Sequence, residues 1–342
     1  MLLAWIGAAF PCANIVTAEG ELATSEAQEV LLRTDGTSWT VDYRVEYDGN
    51  AEAFGWIIAV PGELGGVEDG SEQTFEDVRE ASQPTVVYEW AGDSGDSGPI
   101  CGCGGMAKGG DNALRAGGDS GQLIEQIAEG FTGTYSWVAV TAEDADALTT
   151  WLTDEGFELG DTGPSIEQYV AEDATFVLVT IGSSGGDTPP EGRVLPPLSL
   201  TYQGDAAFPA RMARYAQTDE MTTRIYVLGD QTATMSGWTY RDLEWLSADG
   251  PPAVAWQEAL REHGADQAYA RVYAGDFEGQ VLTRFETVAP VTVHTADPVI
   301  ALDGRDTRLQ ATISVWGEPG DSAAWLLVLP LAGLGWGLRR RG

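Results

Sequence analysis

Lysine is almost missing from this sequence. Lys108 is the one instance among 342 residues, and lysine and arginine together number 18 against 53 aspartates and glutamates. The formal net charge of −35 argues against nucleic acid as a partner, because phosphate binding needs a concentrated basic surface. Like-charge repulsion at this level opposes compaction at low ionic strength, so a salty or cation-rich setting is expected. Histidine is nearly as scarce, with only His263 and His294. Three cysteines, Cys12, Cys101 and Cys103, are too few for a disulfide-dense scaffold or for a four-ligand zinc site with paired spacings. They suit one bridge and one spare thiol in an exported protein, with Cys12 joined to Cys101 or Cys103. A Cys101–Cys103 bridge is the strained alternative. No apolar run reaches the about 20 residues of an ordinary membrane-spanning helix.

The loop Gly92-Asp93-Ser94-Gly95-Asp96-Ser97-Gly98-Pro99 is close to the Gly-Asp-Ser-Gly-Gly-Pro stretch around a trypsin-type nucleophile. Such a serine needs a histidine base and an orienting aspartate, in the chain order His, Asp, Ser. Both histidines lie downstream of Ser94 and Ser97, and Asp96-Ser97 stands where the second glycine belongs. The segment therefore reads as a solvated loop rather than a nucleophile. Asp93, Asp96, Asp111, Asp119, Asp144 and Asp146 offer oxygen ligands at loop positions, but without EF-hand spacing. Weak, adventitious divalent cation binding is expected at this charge. No cofactor and no catalytic or metal-ligating set is read from the residues, and the two common phosphate-binding glycine loops are absent.

What is present begins at the two ends. Leu2–Phe10 is a short apolar run with a small-x-small pattern at Gly7 and Ala9, which resembles the core of a secretory signal without its charged start. Near the other end, Ala323–Leu338 is uncharged and is followed by Arg339, Arg340 and Arg341. With Trp325, Leu326 and Leu327 this reads as a short membrane anchor whose arginines stay cytoplasmic. The layout of Gly-rich spacer, apolar stretch and basic end resembles a bacterial C-terminal sorting tail. The expected division is a signal-like segment at 1–11, a body at 12–290, an extension and polar spacer at 291–322 and a tail at 323–342. The expected partners are the membrane, through that tail, the export and sorting machinery, and a surface polymer or protein. The expected location is the cell envelope or surface, with release after tail processing as a further possibility.

Between the ends the pattern is mostly strands with several short helices. Trp39, Val41, Tyr43, Val45 and Tyr47 alternate along one face. Phe54–Val60 is a continuous apolar run stopped by Pro61, hence a strand buried on both faces. Further strands are expected at 85–90, 135–140, 175–181 and 224–228. Helices are expected at 74–81, 122–128, 144–152, 165–171 and 254–261, the clearest carrying Leu148, Trp151 and Leu152 at i, i+3 and i+4. The expected fold class is α+β, with mixed, largely antiparallel sheets, several short helices and a C-terminal apolar helix. Trp39, Trp56, Trp137, Trp151 and Trp256 sit in core phase. Trp90, Trp238 and Trp245 lie near turns, where core packing is the ordinary role and a carbohydrate or peptide groove the alternative.

These segments together carry a resemblance. Phe54-Gly-Trp-Ile-Ile-Ala-Val-Pro61, the Asp144–Phe157 helix with its Trp151-Leu152 pair, Leu200-Thr-Tyr-Gln-Gly-Asp205 and Arg224-Ile-Tyr-Val-Leu-Gly-Asp230 resemble the exported bacterial family catalogued as domain of unknown function 2330. The resemblance brings no activity, cofactor or catalytic residue. The chain departs from that pattern after Cys12, where Ala13-Asn14-Ile15 replaces a Gly- and aromatic-rich stretch ending in a second Cys. The functional expectation is an exported, non-enzymatic structural or binding protein. The alternative is an envelope hydrolase with an unrecognised carboxylate site.

Overall fold

The computed structural model describes residues 14–17, 23–49, 54–90, 124–154, 159, 163–181, 195–215, 219–302 and 308–317. Its centre is a nine-stranded sheet in the order β14 (Thr239–Asp242), β16 (Ala268–Phe277), β17 (Gln280–Pro290), β12 (Glu220–Gly229), β2 (Ala23–Thr34), β3 (Trp39–Gly49), β10 (Leu198–Gly204), β5 (Gly62–Asp69), with β19 (Leu309–Gln310) also on β16. A five-stranded sheet runs β1 (Asn14–Thr17), β4 (Phe54–Val60), β9 (Thr175–Ile181), β8 (Tyr135–Ala142), β7 (Ile124–Phe131). Two three-stranded sheets complete the set: β11 (Ala206–Ala207), β18 (Val299–Leu302), β13 (Ala233–Ser236), and β15 (Trp245–Ala248), β20 (Thr312–Gly317), β6 (Thr85–Trp90). Four helices, α1 (Glu72–Ala81), α2 (Ala145–Asp154), α3 (Gly163–Ala171) and α4 (Pro252–Ala265), flank them.

The layers follow from strand alternation. Val30, Leu32, Val41, Tyr43, Val45, Ile225 and Val227 on the large sheet meet Trp56, Ile58, Val60, Trp137, Val177 and Val179 of the five-stranded sheet. The other face of the five-stranded sheet, with Ile57, Ala59, Phe176 and Leu178, is covered by α2 and α3 through Leu148, Leu152, Ile166 and Tyr169. β4 is thus apolar on both sides because both its faces are covered. α1 docks on the outer face of the large sheet, placing Phe75 and Val78 against Leu31, Tyr226, Leu228 and Leu282. α4 lies on the same face, where Gly264 is needed: a Cβ there would stand 2.1 Å from the Val288 carbonyl oxygen.

Beneath α1 the outer face carries a row of alternating charge. Register aligns Arg44 with Glu29, Glu29 with Arg224, and Arg224 with Glu286 across β3, β2, β12 and β17. Glu29 accepts from Arg44 Nη1 at 2.7 Å, from Arg79 Nη2 of α1 at 2.6 Å and from Tyr226 Oη at 3.2 Å. Glu286 accepts from Arg224 Nε at 2.8 Å and Arg284 Nη2 at 2.6 Å. Burial alone would raise the Glu29 carboxyl, but the Arg79 hydrogen bond and the guanidiniums of Arg224, Arg79 and Arg44 hold it at about 2. Burial likewise opposes the charge on Glu286, and Arg284 and Arg224 reverse it.

The expected fold class needs correction. Among the described residues the chain is mostly β, with twenty strands against four α-helices. The sheets are large and mixed: β2–β12, β14–β16, β15–β20 and β20–β6 are parallel pairs. No C-terminal apolar helix is among the described residues, and 323–342 lie outside them. The helix expected at 122–128 is instead β7, paired antiparallel with β8 through a bulge between Gln126 and Ala128. The reason is the neighbouring strand: Gly130 lies flat on the Trp137 ring, where a Cβ would come within 2.8 Å, and pairing with β8 satisfies the backbone. The remaining expected helices appear as α1, α2, α3 and α4. Residues 299–302 and 309–317 contribute β18, β19 and β20 to three different sheets.

Candidate functional site

A cleft of about 450 Å³ opens where the end of β4, α3, the 3-10 turn Ala210–Tyr215 and the segment before β18 converge. Its walls are apolar at Ala59, Pro61, Phe208, Pro209 and Val299. Its polar side is built around Arg211. The Arg211 backbone N–H donates to Asp297 Oδ1 at 2.8 Å and its Nε to Oδ2 at 3.0 Å. Tyr169 Oη donates to Asp297 Oδ1 at 2.9 Å, and the Tyr169 ring lies under the guanidinium, 4.2 Å from Cζ to centroid. The outer edge of the guanidinium forks onto Glu172, with Nη1 to Oε1 at 2.7 Å and Nη2 to Oε2 closing the pair. Such a fork fixes orientation as well as charge.

Backbone geometry sets this up. Glu172 and Asp173 follow α3, and Asp173 takes a positive φ of 56° that ends the helix. Ser165 Oγ donates to the Arg211 carbonyl at 3.1 Å, tying α3 to the 3-10 turn. Gly237, at φ 81°, lets the turn after β13 reach the Asp297 carbonyl, which a Cβ would meet at 2.1 Å. The charges are tuned in opposite senses. Burial pushes the Asp297 carboxyl up against the Arg211 hydrogen bonds, whereas the Arg211 hydrogen bond pulls Glu172 down. Burial would lower Arg211, but its hydrogen bonds to Glu172 and Asp297 more than offset this and raise it. With Asp205 also in the lining, the cleft holds three carboxylates against one guanidinium, so it is electronegative.

The sequence matches, over residues 6–278, the family described as "Uncharacterized protein conserved in bacteria (DUF2330)". The chain belongs to this family. No curated protein matches it. Among solved structures, the crystal structure of baculovirus P35 is similar at a TM-score of 0.36 and 9% identity, covering 84% of this chain and 98% of that one. A likeness this distant carries no functional argument.

In this member of the family the residues singled out by sequence fall in two groups. Cys12, Cys101, Cys103, Ser94, Ser97, Asp93, Asp96, Asp111, Asp119, Trp325, Leu326, Leu327, Arg339, Arg340 and Arg341 lie outside the described residues. Among the described ones no helix is long and apolar enough to cross a membrane. Asp144 caps α2, accepting from the Ala147 N–H at 2.8 Å. His263 Nδ1 lies 2.8 Å from the Ala259 carbonyl, one helical turn back. Among the described residues no group of three or more His, Cys, Asp or Glu is placed to hold a metal ion. Trp238 is buried and donates from Nε1 to the Ala296 carbonyl at 2.7 Å, which supports the Asp297 loop from beneath. Trp245 is exposed. Sequence reasoning missed the cleft, since Arg211 and Asp297 are 86 residues apart and share no motif.

Proposed function

We propose that this chain is an exported protein of the bacterial cell envelope that acts by binding, with the Arg211–Asp297 cleft as its ligand site. The observation that carries the binding reading is the prearranged guanidinium, held from behind by half-buried Asp297 and buried Tyr169 and presented at the mouth with the exposed Glu172. A fixed polar group in an apolar-walled cleft of this size is the ordinary form of a small-ligand site. The excess of carboxylates favours a small ligand that is cationic or neutral over an anion.

Glu172→Gln tests the cleft, because that side chain is 55% exposed and its loss leaves Asp297 paired with Arg211. The variant is expected to keep its melting temperature within about 2 °C, the range of a surface change, while its affinity for small amines and neutral sugars, followed by calorimetry, shifts several-fold. Unchanged binding of any ligand found would remove the cleft from the reading.

Export rests on the apolar run 2–10 and on Ala323–Leu338 before three arginines. Deleting 323–342 is expected to release the body into the medium, as seen by fractionation with an antibody to the body. Full-length protein that stays cytoplasmic with its N-terminal run uncleaved would end the export reading.

One observation favours a hydrolase instead: two carboxylates of one cleft, Glu172 and Asp297, are shifted in opposite directions. Turnover of glycans or peptides with a sharp pH profile, lost in Asp297→Asn, would decide for it.

A further inference from the structure

The parallel sheet β15–β20–β6 has one face in the core and one outside. Leu246, Ala248, Ile313, Val315 and Val86 point inward to pack with α4. Alternation and register then place Trp245, Thr312, Ser314, Trp316 and Val87 together on the opposite face, with Trp245 beside Thr312 and Val87 beside Ser314. Trp245 is 56% and Trp316 51% exposed, and Val87 38%. Two indoles left this open, on a sheet whose inner face is well packed, are a costly arrangement for a surface that meets only water.

We propose that this face is a binding platform for an uncharged, extended polysaccharide. It goes beyond the cleft, which lies elsewhere and would take a small ligand. Three observations point to that occupant. The first is charge. Among the outward positions of the three strands, Thr85, Val87, Glu89, Trp245, Ser247, Thr312, Ser314 and Trp316, Glu89 alone is charged. This is a nearly neutral patch on a chain of net charge −35. It complements a neutral polymer, whereas anionic polymers meet no basic residue and a repelling background. The second is spacing. Trp316 is four residues along and one strand across from Trp245, about 14 Å between Cα atoms at ordinary strand dimensions. One sugar ring cannot bridge that distance, but an extended chain can lay the C–H faces of separate rings on the two indoles. The third is the floor between them. The exposed Ser247 and the half-buried Thr312 supply hydroxyls beside Trp245. Stacking rings beside hydroxyl donors and acceptors match the alternating C–H and O–H surfaces of a pyranose chain.

The test is affinity electrophoresis of the full chain in gels containing a soluble neutral glucan, with pelleting on cellulose and on chitin as a second readout. Retardation and co-sedimentation are expected for the native protein. Trp245→Ala and Trp316→Ala should each weaken binding about tenfold, the loss of one stacked ring. The melting temperature should be unchanged in both, since neither ring is buried, and Glu172→Gln in the cleft should leave this binding intact. No retardation by any neutral polymer, or retention by anionic polymers alone, would overturn the proposal. So would concentration-dependent self-association abolished by the two tryptophan variants, which would make the face an interface between copies of the chain.

Discussion

Replacing Glu286 by Ala is expected to lower the unfolding free energy by about 3–5 kcal/mol, the cost of stranding a buried charge. Glu286 is fully buried and holds Arg224 through one oxygen and Arg284 through the other, at 2.8 and 2.6 Å. Arg224 retains a route to Glu29 at 3.6 Å. Arg284 does not: its remaining partners are the Ser82 carbonyl at 3.2 Å and the Tyr226 ring at 5.6 Å. Its guanidinium would stay cationic in the interior with its charge uncompensated. Urea denaturation of the purified chain measures the loss, and a melting temperature lower by about 10 °C should accompany it. Glu220→Ala is the contrast. That residue pairs with Arg261 at 2.7 Å, but both side chains are more than 40% exposed, so a change of at most about 1 kcal/mol is expected. Replacing Arg284 by Met and Glu286 by Leu together should recover most of the loss, since neither charge then remains to be desolvated. If Glu286→Ala costs no more than Glu220→Ala, water reaches the row and it is not a buried network.

This row shows where sequence reading stops. Along β3 the alternation of Trp39, Val41, Tyr43 and Val45 was legible, and it names the face turned to the five-stranded sheet. The same rule turns the intervening Asp42 and Arg44 to the opposite face. In the fold Asp42 is buried and Arg44 is 17% exposed, because the outer face is covered too. Which residues lie beside Arg44 depends on β2 pairing in parallel with β12, a long-range choice that no local period encodes. One signal was available. Arg224 and Tyr226 alternate in phase with Leu228, and Arg284 and Glu286 with Leu282, inside strands otherwise rich in apolar residues. Charges in core phase on two strands of a chain poor in bases imply that they meet. β4 and α2 were readable because each announces its own surroundings, the first by an unbroken apolar run and the second by i, i+3, i+4 spacing. At 122–128 the same spacing misled, since Ile124 and Ile127 fit a helix locally and only the pairing with β8 selects the strand. The cleft was illegible for the reason the row was: α3, a 3-10 turn and a loop bring Tyr169, Arg211 and Asp297 together from distant positions.

Acid should expose one buried side chain before any of the ion pairs. His294 is fully buried, with Nδ1 lying 3.1 Å from the Val291 carbonyl, Nε2 without a partner and the Trp238 ring 5.0 Å away. Burial disfavours the imidazolium and lowers its pKa to about 4 from 6.5, against the weaker opposing pull of the Val291 and Pro290 carbonyls. The unfolded chain therefore takes up this proton first as pH falls. The stability owed to neutral His294 is complete above pH 6.5 and is lost progressively down to about pH 4, an expected total of about 3 kcal/mol at 1.4 kcal/mol per unit. Glu29, held at about 2, loses its contribution only below its ordinary value of 4.5, so the two windows are largely separate. Other groups tilt the same curve. Protonating surface carboxylates relieves repulsion in a chain of charge −35, and Asp297, raised by burial, binds its proton more readily when folded. Both favour the folded state in acid, so the native slope alone is ambiguous. The difference between native protein and His294→Gln is not. Glutamine can donate to the Val291 carbonyl but does not titrate between pH 7 and pH 4. Chemical denaturation at pH 7.5, 6, 5 and 4.2 should find the variant less stable than the native protein at the top of this range. The gap should close by about 2–3 kcal/mol toward the bottom, with the variant overtaking if its cost at neutral pH is smaller than that. Parallel curves at all four pH values would mean that His294 keeps the same protonation in both states and that its burial has no bearing on acid stability.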